Sequence, residues 1–224
     1  MKTKLYNSKR KNSLVVFDLD HTLLRKNCSL SFGIYLFRKK VLSFYRMIRL
    51  SSLYLRFKLG LISLKSLHES TFQCFFYGLS VALVNEHATK FLSQQLEKLI
   101  YHPVFSKLLE AKNEGSYTAI FSSSPNFLVE KVALRLGVDR WSSTIYQKNE
   151  QGDFTHITQV MEGPQKAQAL KLLLKELQIV KANVTAYTDS YLDLPLLYAV
   201  GNPVGVNPDR RLKAMCRQNQ WPII

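Results

Sequence analysis

The chain has 224 residues, 46% of them hydrophobic, with 9 glycines and 7 prolines; this fits one folded α/β core with a modest insertion and excludes a disordered protein. Cys28, Cys74 and Cys216 are an odd number at wide spacing, which argues against a disulfide framework and a zinc cluster and suits a reducing cytoplasm. The net charge of +15 is concentrated in residues 1–68, which hold 15 Lys/Arg against 2 Asp/Glu, a balance that points to an anionic partner.

The N-terminus is basic (Lys2, Lys4, Lys9, Arg10, Lys11), as a secretory signal would be, but the apolar run Leu14 to Phe17 is cut short by Asp18. No stretch reaches the roughly 18 apolar residues of a spanning helix. A cytoplasmic protein is expected.

Ser13 to Phe17 reads as a short strand apolar on both faces, as in a parallel sheet, and it runs into Asp18-Leu19-Asp20. Residues 28 to about 100 are helix-like throughout. Thr118 to Phe121 is a second buried strand, followed by Ser122 and Ser123. Pro125 to Leu136 starts with a proline suited to a first helical turn. Ser143 to Gln159 resembles a hairpin turning at Gln151-Gly152. Gly163 to Leu177 is an amphipathic helix with Lys166 near its start. Val184 to Tyr187 is a third strand, with Asp189 and Asp193 just after it. Strands alternating with helices predict a doubly wound parallel sheet with ligands at the carboxyl ends of the strands. The helical stretch 28–100 is then an inserted all-helical cap after the first strand, and 1–27 with 101–224 form the catalytic core.

Paired carboxylates after a strand often do no more than cap a turn. Here a hydroxyl, a lysine and two further acids are expected at the same sheet edge. A phosphate ester repels nucleophiles, so a cation and fixed positive groups must offset its charge. A carboxylate can attack phosphorus and divide one displacement into two, while a second acid moves the proton. Magnesium prefers oxygen ligands and keeps several waters, so a few carboxylates suffice to hold it.

The set DLDHT, FSSSP, GPQK and TDSYLD resembles the four motifs of the haloacid dehalogenase superfamily in order and spacing. The flanks SSSPNFLVEKVALRLGVD, DLPLL, GNPVGVNPD and WPII are similar to its IB-type hydrolases, which carry a helical cap after the first motif. The resemblance implies a Mg2+-dependent phosphomonoester hydrolase with an aspartyl-phosphate intermediate. Asp18 would be nucleophile and metal ligand. Asp20 would be general acid/base, with its carbonyl on the metal. Leu19 and Ser123 (through their amides), Ser122 and Lys166 would hold the phosphoryl group. Asp189 would bind the metal, and Asp193 would act through water or by orienting the shell. Two positions depart from many relatives, which carry glycine where this chain has His21 and Thr188.

Phosphoserine phosphatases belong to this group, but residues 21–68 contain no carboxylate to pair an ammonium group. Placed on one helical wheel over 36–60, Arg38, Lys39, Arg46, Arg49 and Arg56 share about a third of the circumference, with Leu36, Val41, Phe44, Met47, Ile48 and Leu55 largely outside that arc. Such a segment suits an anionic-lipid surface or solvated cap arginines. It is similar to caps of IB-type phosphatases acting on lipid phosphates. The expected substrate is therefore a phosphorylated small molecule or lipid, with peripheral contact at the cytoplasmic membrane face. A soluble metabolite such as phosphoserine is the alternative, and a membrane- or nucleic-acid-binding protein on the same fold a further one. No nucleic-acid motif is present.

Overall fold

The computed structural model describes residues 11–224, so Lys2, Lys4, Lys9 and Arg10 of the basic N-terminal run lie outside the described residues. Six strands, β1 (Leu14–Phe17), β2 (Tyr117–Pro125), β3 (Arg140–Lys148), β4 (Phe154–Gln159), β5 (Val184–Thr188) and β6 (Asn202–Gly205), form one sheet in the order β4-β3-β2-β1-β5-β6. All neighbours are parallel except the β3–β4 hairpin. Central β1 pairs on both sides, with Val16 opposite Ala119 and Ala186, and Leu14, Val16 and Phe17 have no exposed surface. Burial on both faces explains why the strand is apolar without alternation.

The order of this sheet bears out the doubly wound prediction, and the three strands expected from the sequence are found, with Ser13 lying just before β1. β2 continues through Ser122–Pro125, so Pro125 ends the strand and caps the next helix instead of entering its first turn. β6 was not anticipated as a strand. Its edge is covered by the last residues of the chain, with Gly205 N–H donating to the Pro222 carbonyl at 2.9 Å.

Between β1 and β2 lie α1 (Cys28–Arg38), α2 (Phe44–Lys58), α3 (Leu64–Phe75), α4 (Val81–Leu99) and α5 (His102–Asn113). The single wheel over 36–60 does not survive. Lys40 adopts a left-handed φ of 59°, and the Ser43 side chain accepts from Arg46 N–H to start α2, so Arg38 ends α1 and Lys39 caps it, while Arg46, Arg49 and Arg56 lie on a separate helix. Later helices are α6 (Asn126–Leu136), α7 (Gly163–Leu177), α8 (Leu194–Tyr198) and α9 (Arg210–Gln218).

Two apolar clusters flank the sheet. One gathers Leu14, Val16 and Phe121 with α7, α8 and α9. The other joins Phe17 and Leu19 to Phe32 of α1, Phe72 of α3, Phe91 of α4 and Phe127 of α6 without interruption. The inserted helices and the sheet therefore share one core.

Candidate active site

The site begins where β1 ends. Asp18 N–H donates to the Tyr187 carbonyl at 2.9 Å, which carries the β5 register one residue past the strand. The chain then turns back on itself, with Leu24 N–H reaching the Leu19 carbonyl at 2.9 Å. That turn holds His21 at φ 61°. A left-handed φ is easiest for glycine, so this turn suits the glycine that the family resemblance implies here, and His21 adopts it with a side chain. Leu19 is fully buried, so only its backbone can face the site.

Asp18 is 6% exposed, and its Oδ1 accepts from Lys166 Nζ at 2.6 Å. The same Nζ donates to Asp193 Oδ2 at 2.7 Å. Lys166 reaches both because α7 starts hard against the turn Tyr191–Asp193. A Cβ on Gly163 would stand 2.0 Å from the Leu192 carbonyl oxygen, so this helix start fits only without a side chain. Glycine and lysine of the GPQK motif thus serve one purpose: the first permits the approach that lets the second bridge.

Asp193 Oδ2 also accepts from Thr188 Oγ1 at 2.7 Å. The departure from glycine at Thr188 is accommodated by this bond. Asp20 is anchored separately. Its Oδ1 accepts from Cys28 N–H at 2.6 Å, and its Oδ2 from Ser124 Oγ at 2.5 Å and more weakly from Asn27 Nδ2 at 3.5 Å. The start of α1 is thereby fastened to the carboxylate. Asp189 Oδ1 takes a long bond of 3.3 Å from Thr22 Oγ1.

Of the three consecutive serines, Ser122 lies deepest, at 1% exposure, with its Oγ accepting from Ser124 N–H at 3.1 Å. Ser123 and Ser124 line the cavity in front of it. Ser124 and Thr188, which position Asp20 and Asp193, were missed by sequence reasoning. For Ser124 the signal was present in the SSS run, but three neighbouring hydroxyls look alike until the end of β2 is known.

Burial pushes the Asp18 carboxyl well above its ordinary range; Lys166 opposes this, while Asp193 and Asp189 add to it. Burial likewise pushes Asp189 up to about 6, with Asp193 adding. Burial raises Asp20 too, against the hydrogen bonds from Ser124 and Cys28. Burial alone would lower Lys166, but Asp18 and Asp193 outweigh it and hold the ammonium charged.

The resemblance implies a cation held by Asp18, Asp189 and the Asp20 carbonyl, with Asp193 acting through water or by orienting the shell. Among the described residues no cluster of three or more metal-binding side chains is formed. Asp193 is turned toward Lys166 and Thr188, and Asp20 toward α1 and Ser124. What does fit a divalent cation is the chemistry of the donors: all are oxygens, and Asp18 and Asp193 share the one ammonium of Lys166, with Asp189 near enough to raise the Asp18 carboxyl.

These groups open into a cavity of about 290 Å³ that extends under α1, α2 and α3. Among the described residues no helix is long and apolar enough to cross a membrane.

The haloacid dehalogenase-like hydrolase family model matches residues 15–198. The chain is 28% identical over 211 residues to the inhibition of morphological differentiation protein of Streptomyces azureus, covering 93% of this chain and 76% of that one. It is 27% identical over 214 residues to a phosphoserine phosphatase of Mycobacterium tuberculosis, covering 92% and 68% respectively. Its fold is similar to the crystal structure of a Bordetella pertussis protein of unknown function, with a TM-score of 0.85 at 20% identity over 96% of this chain and 98% of that one. Phosphatases of this kind generally use a divalent metal. The chain belongs to the haloacid dehalogenase-like hydrolase family, and within it to the phosphatases resembling phosphoserine phosphatase.

Proposed function

We propose that this phosphatase is a Mg2+-dependent phosphomonoester hydrolase that passes through an aspartyl-phosphate on Asp18, with residues 28–100 as cap and 1–27 plus 101–224 as catalytic core. The observation that carries the reading is the bond of Lys166 Nζ to Asp18 at 2.6 Å at the floor of a cavity that also exposes Asp20. Lys166 orients the carboxylate and offsets charge on the incoming phosphoryl group. The Asp18 oxygen forms a bond to phosphorus while the ester oxygen leaves with the proton of Asp20. Asp20, now a base, takes a proton from water, which cleaves the acyl phosphate. The amides of Leu19 and Ser123 and the hydroxyl of Ser122 receive the phosphoryl oxygens. Asp18, Asp189 and the Asp20 carbonyl would hold Mg2+, with Asp193 steadying the set through Lys166. When bound, the ion neutralises phosphate charge and aligns the transfer.

The test is turnover of p-nitrophenyl phosphate. Asp18→Asn, nearly isosteric, should abolish it with an unchanged circular dichroism spectrum. Chelator should silence the parent and Mg2+ should restore it. Near-parent activity of the Asn variant, or full activity in chelator, would sink the reading.

A second element of the proposal concerns where the enzyme works. The outward side of α2 carries Phe44 (68% exposed), Tyr45 (72% exposed), Ile48 and Leu55, beside Arg46, Arg49 and Arg56. Its inward side is already supplied by Leu50, Leu53 and Phe57. An uncovered apolar strip edged by arginines is complementary to an anionic lipid surface. It supports a lipid-borne or amphipathic phosphate as substrate.

A further inference from the structure

From the cavity walls we infer that the alcohol part of the substrate is a single apolar chain, received in a channel between α1, α2 and α3. This rests on the phosphomonoester chemistry proposed above and names the leaving group for that same site.

The cavity has a polar end and an apolar one. At the polar end stand Asp18, Asp20, Asp189 and Lys166. Away from them the walls are built chiefly by Leu50 and Phe57 of α2, Leu64, Leu67 and Phe75 of α3, and Leu128 of α6. Among the described residues no carboxylate of the inserted helices lines the lumen; the further acids on its wall are Asp193, already bound to Lys166, and Glu162 at the start of α7. His68 faces the lumen from α3, and burial pushes its pKa down to about 4, so the imidazole is neutral near pH 7. Lys58 and Tyr54, both exposed, mark where the channel meets solvent. Along these walls Thr71 and His68 offer an ammonium or polyol leaving group few partners for the water it would lose. An aliphatic chain has no hydrogen bond to lose and gains by leaving water.

Gly33 is a second and independent sign. It lies in the middle of α1 and lines the cavity, and its φ is not in the left-handed region. No backbone requirement explains a residue that costs a helix interior about 0.5–1 kcal/mol relative to alanine. The nearest atom to a Cβ built there is Leu50 Cδ2, at 3.9 Å. A methyl group fits, whereas a longer side chain would project between α1 and α2 and fill the lumen. The glycine keeps the channel open.

The volume of about 290 Å³ lies at the small end of ligand pockets. It suits one chain of limited length.

The experiment compares kcat/KM for n-alkyl phosphates from ethyl to decyl, below their micelle concentrations, with phosphoserine and p-nitrophenyl phosphate as chainless references. Each added methylene should raise kcat/KM roughly three- to fourfold until the channel is filled, after which the series levels. Gly33→Leu should level several carbons earlier, and Gly33→Ala should follow the parent. A parallel titration with octylphosphonate, which is not hydrolysed, should show affinity falling in Gly33→Leu and a negative heat-capacity change in the parent. A flat chain-length series, a faster reaction with phosphoserine than with octyl phosphate, or an octyl-to-ethyl ratio unchanged in Gly33→Leu would overturn the channel. Those outcomes leave the hydrolase intact. Absence of all phosphomonoester turnover alongside chain-length-dependent phosphonate binding would overturn the hydrolase and spare the channel.

Discussion

Thr188 holds the acid that holds the lysine that holds the nucleophile. Its hydroxyl donates to Asp193 Oδ2 at 2.7 Å inside a site with almost no solvent contact. Thr188→Val keeps the shape and removes the donor, leaving a buried carboxylate oxygen short of a partner. The expected cost is about 1–3 kcal/mol of stability, read from the denaturant midpoint, with a lower kcat and a rescue of both by Thr188→Ser. His68 offers a second measurement, one that depends on pH, on a side chain whose shift comes from burial. Its folded pKa is pushed by burial from 6.5 to about 4. As pH falls below 6.5 the unfolded chain takes the proton first, so stability is undiminished above that value and declines toward pH 4. His68→Leu should remove this decline, so the stability gap between variant and parent should widen as pH is lowered from 7 to 4. An unchanged gap would show that the imidazole charges freely in the folded protein.

At the scale of elements, α2 is the one whose two sides do different things. Leu50 and Phe57 face the cavity, while Phe44, Tyr45, Ile48 and Leu55 face outward. Replacing Arg46, Arg49 and Arg56 with glutamine should weaken sedimentation with anionic vesicles on the order of 100-fold at low salt, at about 1 kcal/mol per arginine, with a steep salt dependence in the parent. Hydrolysis of an aryl phosphate should not change. If the parent ignores anionic vesicles at low salt, the strip has another occupant. The elements also show what could be read without coordinates. The strand entering Asp18 was legible because double-sided burial demands an unbroken apolar run, and α7 was legible from its helical spacing. The break between α1 and α2 was not. No proline or glycine interrupts Ile34 to Leu59, and the signal was Ser43 alone, a capping side chain in a stretch that otherwise reads as one helix. Likewise the roles of Ser124 and Thr188 depend on contacts across more than one strand end, which spacing along the chain does not encode.

At the scale of the molecule, the inserted helices are stitched to the sheet by rings. Phe72 of α3 meets Tyr146 of β3 edge-on at 4.9 Å, and Phe76 meets Phe127 of α6 at 5.5 Å. Phe154 of β4 packs against Phe127 at 5.7 Å, which closes the circuit through the hairpin. Such pairs contribute about 0.5–1.5 kcal/mol each beyond the area they bury. Calorimetry should therefore record a single endotherm, with the calorimetric enthalpy equal to the van't Hoff enthalpy, and not a separate low-temperature melting of residues 28–100. Two resolved endotherms would show that the rings do not couple the halves. The circuit also restricts how the protein can evolve. A lid on a slack hinge can exchange its contents freely, because its tolerance to mutation is its own. Here a substitution that reshapes the ceiling to admit a new alcohol draws on the same cooperative reserve that keeps the carboxylates folded, so new specificity and thermal lifetime should trade against each other.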